Sequence, residues 1–333
     1  MKEVTKVCIL LATYNGVQYV SAQLQSIYNQ EQGAHPFSLD VFISDDHSSD
    51  DSVAVMMRDF PQAHIISCSR KGGAAENFKY LLEHVSDGYD LYFFADQDDI
   101  WLPHKISSFI DRFTALPRDI PCLLHSDLRV VDQDLHVIHD SMFDYQGLCA
   151  EPTFRELLVQ NSITGCAMAI NSVAMKTVRG MAFDCAIMHD WFIALICSAM
   201  GKVVCVPSVT VLYRQHGNNQ LGAVPFSFLS LLRKLLHIRK EFSLAVASLS
   251  RTARQAYAVS MALEGCGARQ HAAIAAAYSA SYSRTIFNRL QCLFLFRFRK
   301  CGFWRNTLFI VIYLFAFAWP FRQLDFIRDS FNE

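Results

Sequence analysis

Asp96 and Asp98 close the run Tyr89-Asp90-Leu91-Tyr92-Phe93-Phe94-Ala95, and a third acid, Asp99, follows at once. The run is apolar enough to be a buried strand, and on an extended backbone residues i and i+2 project to the same side. Two like charges in a poorly hydrated place repel, and each loses hydration, unless a cation lies between them and a third group. Hard oxygen ligands suit Mg2+ or Mn2+, which takes few protein contacts and fills its shell from substrate phosphates. A second role stands beside this one. Ile100-Trp101-Leu102-Pro103-His104-Lys105-Ile106 reads as a helix, and Asp98 or Asp99 can cap it, since Asp is a favoured N-cap.

The elements that must position these acids repeat along the front of the chain. Val7–Ala12, Leu39–Ser44 and Ala63–Cys68 are apolar runs of strand length,. Between them, helical spacing marks Tyr19–Gln30 and Val53–Phe60, and a further helix, Ala75–Val85, precedes the acidic strand. Strand and helix in alternation predict right-handed crossovers and a mostly parallel central sheet with flanking helices. In such sheets ligands collect at the carboxyl ends of the strands. Thr13–Gly16, Asp45–Asp50, Arg70–Gly73 and Asp96–Asp99 all fall there, a rim suited to a nucleotide and its metal. Beyond residue 120 the pattern loosens. Leu123–Asp127 and Ala167–Ile170 read as strands, Ile187–Met200 contains a helix, and Val203–Pro207 reads as an edge strand.

Charge divides the chain. Residues 1–224 carry 15 Lys+Arg against 26 Asp+Glu, and residues 225–333 carry 15 against 5, so the halves stand at −11 and +10. Two regions are expected, 1–222 and a basic, mostly α-helical region over 223–333. Its cations lie among bulky aliphatics rather than in a polar stripe, so no nucleic-acid partner is expected. Eleven cysteines show no CxxC and no Cys/His cluster of zinc type,. Lys2, Glu3 and Lys6 lead directly into a strand without a signal-peptide pattern. A reducing cytoplasm is the expected location.

With these elements in view, the chain resembles the family 2 glycosyltransferases, from about Val7 to about Asn219. The markers are Leu11-Ala12-Thr13-Tyr14-Asn15-Gly16, Ser44-Asp45-Asp46-His47-Ser48-Ser49-Asp50, Phe94-Ala95-Asp96-Gln97-Asp98-Asp99-Ile100-Trp101-Leu102-Pro103 and His189-Asp190-Trp191. Each is weak alone; four in order at strand ends are specific. Ile163-Thr164-Gly165-Cys166 and Tyr213-Arg214-Gln215-His216-Gly217-Asn218-Asn219 are similar to the bacterial branch that includes many rhamnosyltransferases, which build O-antigen and other surface polysaccharides. The resemblance implies a GT-A fold (Rossmann-like) and inverting transfer of a hexose such as rhamnose. The donor would be a nucleoside-diphosphate sugar and the acceptor a lipid-linked or polysaccharide hydroxyl. It also assigns roles. Ala12, Tyr14, Asn15, Asp46, Arg70, Lys71, Asp96 and Gln97 would bind the donor, Asp46 by hydrogen bonds to the base and Tyr14 by lying against it. Asp96, Asp98 and His216 would hold Mn2+ or Mg2+, and Asp190 would be the general base, with His189 or His216 next in line. Arg70 and Lys71 fit a solvated loop pair equally well, and His216 fits a loop histidine satisfied by backbone.

Two other classes compete. A nucleotidyltransferase would need a Gly-rich phosphate loop with a cation after the first strand, and Ala12-Thr13-Tyr14-Asn15-Gly16 contains no Lys or Arg. A non-catalytic scaffold has no use for clustered carboxylates. The rear region is argued from physics alone. Residues 226–240 read as an amphipathic basic helix, and 245–278 as an Ala-rich helical stretch broken near Gly265-Cys266-Gly267. The apolar run 307–321 follows Arg297-Phe298-Arg299-Lys300. Fifteen helical residues reach about 22 Å, short of a hydrocarbon core of roughly 30 Å. The expectation is a helix lying in the interface of an anionic membrane, peripheral at its cytoplasmic face, with packing on protein as the alternative.

Overall fold

The computed structural model describes residues 4–67, 72–181, 185–217, 238–282 and 284–315. Val7 to Leu11 have no exposed surface and form the centre of β1 (Thr5–Thr13). It pairs in parallel with β2 (Phe37–Asp45) and β4 (Leu91–Asp96), and β2 with β3 (His64–Ser67). The crossovers are α1 (Val20–Tyr28), α2 (Ser52–Asp59) and α3 (Gly73–His84), each burying one apolar stripe,.

Beyond β4 the pairing becomes mixed. β8 (Met168–Asn171) runs antiparallel to both β4 and β6 (Cys122–Val131), and β6 carries β7 (Val137–His139). β9 (Lys202–Arg214) lies parallel to β6 and antiparallel to β5 (Ile100–Trp101), completing a mixed sheet in the order β3-β2-β1-β4-β8-β6-β9-β5. The fold is α/β as expected, with parallel pairing among β1 to β4 and again between β6 and β9, and antiparallel pairing elsewhere.

Two expected elements differ. Ile100–Trp101 is a strand, and the helix behind it, α4 (Lys105–Phe113), starts after Pro103. A residue before proline is driven out of the helical region, and Leu102 instead donates its N–H to Thr210 O at 2.9 Å,. Neither Asp98 nor Asp99 is therefore a helix cap. β9 is an interior strand of 13 residues rather than a short edge. Its register slips between Ser126 and Asp127, which face Val206 and Val209, so Pro207 and Ser208 sit in a bulge where no ladder N–H is required,.

Beyond the sheet lie α5 (Met142–Gln146), α6 (Phe154–Leu157), α7 (Ser172–Val178) and α8 (His189–Met200). The rear region forms α9 (Ile238–Gly265), α10 (Arg269–Ser281), α11 (Ile286–Phe296) and α12 (Phe303–Phe315). The break between α9 and α10 falls at the expected Gly265-Cys266-Gly267, where Gly267 takes a φ of 79°. The expected helix 226–240 lies outside the described residues up to 237, as does the end of the 307–321 run from 316 onward. These helices share one core with the front: Leu249, Ala256, Val259 and Leu263 are buried in the same cluster as Phe192, Leu195 and Ile196. Polar ties cross the same boundary. Ile187 N donates to Gln255 Oε1 at 2.8 Å, and Arg299 meets Glu156 at 2.7 Å. No helix among the described residues is long and apolar enough to cross a membrane.

Candidate active site

A cavity of about 630 Å³ opens at the carboxyl ends of β1, β2 and β4 and is closed opposite by the start of α8. Ala12, Tyr14, Asp46, Asp96, Gln97, Asp98 and Asp190 all line it, so most of the expected residues meet. Arg70 and Lys71 lie outside the described residues.

The first rim loop is held by Gln97. Its Oε1 accepts from Tyr14 N at 2.8 Å and from Thr13 Oγ1 at 2.6 Å, while its Nε2 donates to Tyr14 O at 3.0 Å. A Cβ on Gly16 would come within 2.2 Å of that Oε1, so only glycine fits beside the clamp. Asn15, with φ 47°, turns its side chain to the second rim loop and accepts from Ser49 N at 2.8 Å. It is absent from the cavity lining. Asp46 is buried and its two oxygens accept from Gly72 N at 3.1 Å and Gly73 N at 2.9 Å, which caps α3. A carboxylate has lone pairs beyond these two bonds.

Asp96 and Asp98 differ sharply. Burial first, then the charges of Asp98 and Asp190, push the Asp96 carboxyl up to about 7, with Lys105 acting in opposition. Asp98 is paired: its Oδ2 lies 2.7 Å from His216 Nε2. The His216 ring stacks on Tyr19 at 4.9 Å, and the Arg214 guanidinium lies over the Tyr19 ring, 4.9 Å from its centre. Arg214 Nε donates to Asp98 O at 2.8 Å and its N donates to Asp99 Oδ1 at 3.1 Å, so the end of β9 fixes the acidic turn. Asp99 is fully enclosed, and its carboxyl is driven well up by burial and by Asp98 and Asp96.

The Asp96 and Asp99 carboxylates and the Cys166 thiol lie within 4.8 Å of one another. Burial raises the Cys166 thiol well above its ordinary value, which keeps it protonated and a poor ligand for a hard cation,. The expected oxygen and imidazole set, Asp96, Asp98 and His216, is not among the groups of three described residues whose ligand atoms come within 4.8 Å of one another, and His216 does not line the cavity. Beneath it Lys105 is fully buried, donates to Cys166 O at 2.5 Å and lies 3.6 Å over the Trp101 ring. A cation enclosed under clustered acids offsets part of their repulsion.

Asp190 sits in the first turn of α8. Its Oδ2 accepts from Gly165 N at 2.9 Å, and its Oδ1 from Trp191 N at 2.5 Å and Asn161 Nδ2 at 3.3 Å. Burial nevertheless pushes its carboxyl up from 3.8 to about 7, against the lowering effect of those donors. That suits a group that must take a proton near neutrality. His189 beside it is buried, stacked on Phe78 at 3.9 Å, and held neutral, with its value lowered to about 3 by burial. A Cβ on Gly165 would meet His189 Nε2 at 2.8 Å.

Sequence reasoning passed over Asn77. It lines the cavity from α3, and its Nδ2 donates to Ser44 O at 2.9 Å while its Oδ1 is buried without a protein partner. The signal available was one amide on the first turns of the helix behind the Gly72-Gly73 loop.

Comparison with known proteins follows the same outline. Residues 8–140 match the family model for Glycosyl transferase family 2. The dTDP-rhamnosyl transferase RfbG of Shigella flexneri is 28% identical over 252 residues, which is 70% of this chain and 80% of that protein. An uncharacterized glycosyltransferase of Nostoc sp. is 24% identical over 230 residues, 66% of this chain and 67% of its own. Among solved structures, S. aureus TarS superposes with a TM-score of 0.50 at 14% identity, over 84% of this chain and 56% of that one, a likeness of fold. The front of this cavity thus lies within residues 8–140, which match glycosyltransferase family 2, and the chain is similar over most of its length to a rhamnosyltransferase and similar in fold to TarS.

Proposed function

We propose that the protein transfers a sugar, with inversion, from a nucleoside-diphosphate sugar to a hydroxyl of a lipid-linked or polysaccharide acceptor in cell-surface glycan synthesis, at the cytoplasmic face of a membrane. The likeness to a dTDP-rhamnosyl transferase makes dTDP-rhamnose the first donor to test. The observation that carries the reading is the placement of Asp190 across the same cavity from Asp96 and Asp98, near enough for its charge to act on Asp96.

Each residue then has work matched to its surroundings. Tyr14 lies half exposed at the rim, where a nucleoside base can rest against it, and Asp46 and Asn77 Oδ1 offer acceptors below. Asp96, Asp98 and His216 would hold Mn2+ or Mg2+; such an ion, when bound, supplies positive charge to the departing diphosphate. Asp190 accepts the acceptor's hydroxyl proton as that oxygen bonds to the anomeric carbon and the bond to diphosphate breaks. One displacement at one centre inverts it.

The test is to incubate purified protein with a panel of nucleotide sugars and Mn2+ and to measure nucleoside diphosphate release. Release from dTDP-rhamnose supports the reading. Pyrophosphate release from a nucleoside triphosphate and a sugar phosphate would replace it with nucleotidyl transfer, and release of neither would defeat it.

A further inference from the structure

Phe287, Leu290 and Phe294 follow one another down α11 at i, i+3 and i+7, and are 77%, 45% and 83% exposed. The opposite side of that helix, with Arg289 and Cys292, is buried. α12 repeats the arrangement: Phe309, Ile312 and Tyr313 face the core, while Phe303 and Trp304 are 75% and 54% exposed and Leu308, Val311 and Phe315 continue their side. Helices that are apolar all round belong inside a protein or against lipid. Contiguous aromatic exposure on this scale marks a contact surface.

The charge around these helices says what kind. Residues 265–324 hold eight Lys+Arg and no Asp or Glu. Three of these cations are tied to protein acceptors. Arg289 donates Nη1 to Tyr313 O at 2.6 Å, Arg299 pairs with Glu156, and Arg305 Nη1 reaches Gly147 O at 2.8 Å. Arg284 and Arg297 stand exposed just before and just after α11. A second copy of this chain offers no acid from this region to meet them, and a two-fold contact would bring arginine toward arginine. A bilayer with anionic headgroups satisfies both halves of the surface at once, taking the rings into its interface and pairing the guanidiniums with phosphate.

We infer that the outer faces of α11 and α12, edged by Arg284 and Arg297, dock the protein on an anionic lipid surface. The two helices lie in the interface rather than across it, and Arg299 and Arg305 fasten them to the catalytic body. The biological use of this docking rests on the proposal of a lipid-linked acceptor, but the binding itself needs no turnover.

The experiment sediments the full-length protein with vesicles of phosphatidylcholine alone and with vesicles containing about a third phosphatidylglycerol, a strongly anionic surface. Wild type should partition to the anionic vesicles and leave them as salt rises. Phe287→Ser with Phe294→Ser should lose about tenfold or more in partitioning, and Arg284→Gln with Arg297→Gln roughly thirtyfold, from the usual attraction per arginine. All four side chains are exposed, so both variants should keep the wild-type melting temperature and affinity for dTDP. Wild type that ignores vesicles overturns the inference, as does equal binding to neutral and anionic vesicles. Unchanged binding of both variants places the contact elsewhere on the chain. A dimer that the phenylalanine pair dissolves, without vesicle binding, assigns the face to a second copy instead. Vesicle binding in a protein that turns over no nucleotide sugar leaves this inference standing and removes the proposed activity.

Discussion

The Asp98 carboxylate meets the His216 imidazole at 2.7 Å across 118 residues of chain. Both groups are largely enclosed, the ring is held from behind by Tyr19, and the Asp98 backbone is held by Arg214. A short contact between an acid and an imidazole, fixed from both ends, sets the orientation of the Asp98 carboxylate, which lines the cavity,. The Asp98→Ala variant should lose transfer at any Mn2+ concentration while melting within a few degrees of wild type, because it also relieves repulsion on Asp96. Full activity of wild type after EDTA treatment would show that no metal is needed.

As the proposed base, Asp190 should set the pH dependence. The base form is the ionised one, and its carboxyl titrates near 7, so kcat/KM should rise as pH passes from 6 to 8,. Asp190→Asn should lose at least about a hundredfold in rate, the usual scale for a general base, and the pH rise with it. Stability runs the other way. The folded value lies above the ordinary 3.8, so the fold holds this proton more tightly than the unfolded chain does. That contribution is complete below about pH 4 and is lost as pH rises through about 7. Asp190→Asn, which cannot ionise, is therefore expected to melt higher than wild type at pH 8, with the gain shrinking as pH falls and vanishing below about pH 4,. A melting difference independent of pH would contradict the buried-acid account.

Much of this was legible in the chain because the front strands are continuous apolar runs that end in polar loops. Val7–Ala12 and Leu91–Ala95 show burial on both faces, and their ends carry Tyr14, Asp96 and Asp98 to one rim. Where local signals conflict, the reading fails. Ile100-Trp101-Leu102 carries helix-compatible side chains, yet Pro103 removes the helix and pairing with β9 supplies the alternative,. Val203–Pro207 reads as ending at its proline, yet a register slip absorbs Pro207 and lets β9 run on to Arg214. The roles of Asn77 and Gly165 were hidden for another reason. Each is defined by a partner distant in sequence, Ser44 for one and Asp190 for the other. Asp46 shows the converse: the sequence marks it, and its contacts add a cap on α3 that no motif announces.

Gly165 gives a test of how tightly the base is placed. Its N–H holds Asp190, and an added Cβ would stand 2.8 Å from His189 Nε2 and 3.6 Å from Asp190 Cβ. His189 is buried and packed against both Phe78 and Phe94, which limits its room to retreat. Gly165→Ala should cost about 1–3 kcal/mol of stability, as overpacking usually does. It should also lower kcat by about tenfold or more through displacement of Asp190. If kcat stays near wild type while stability falls, the position of Asp190 does not limit the rate.

The rear helices bear on stability as well as on location. Charge and composition divide the chain near Gly222, a division that predicts a front fragment able to fold alone. The shared core argues otherwise. Leu249, Ala256, Val259 and Leu263 cover Phe192, Leu195 and Ile196 on the outer side of α8, the same helix that carries Asp190 on its first turn. Removing α9 would uncover several large apolar side chains at roughly 1.5–3 kcal/mol each, comparable with the whole stability of a domain. It would also remove Gln255, the partner of Ile187 N just before the catalytic turn. A fragment of residues 1–222 is therefore expected to aggregate or to melt far below the full chain, and to bind dTDP weakly even where it remains in solution. Calorimetry on that fragment beside the full-length protein decides the matter: a fragment with the same melting temperature and dTDP affinity would show that α9 to α12 add nothing to the catalytic fold.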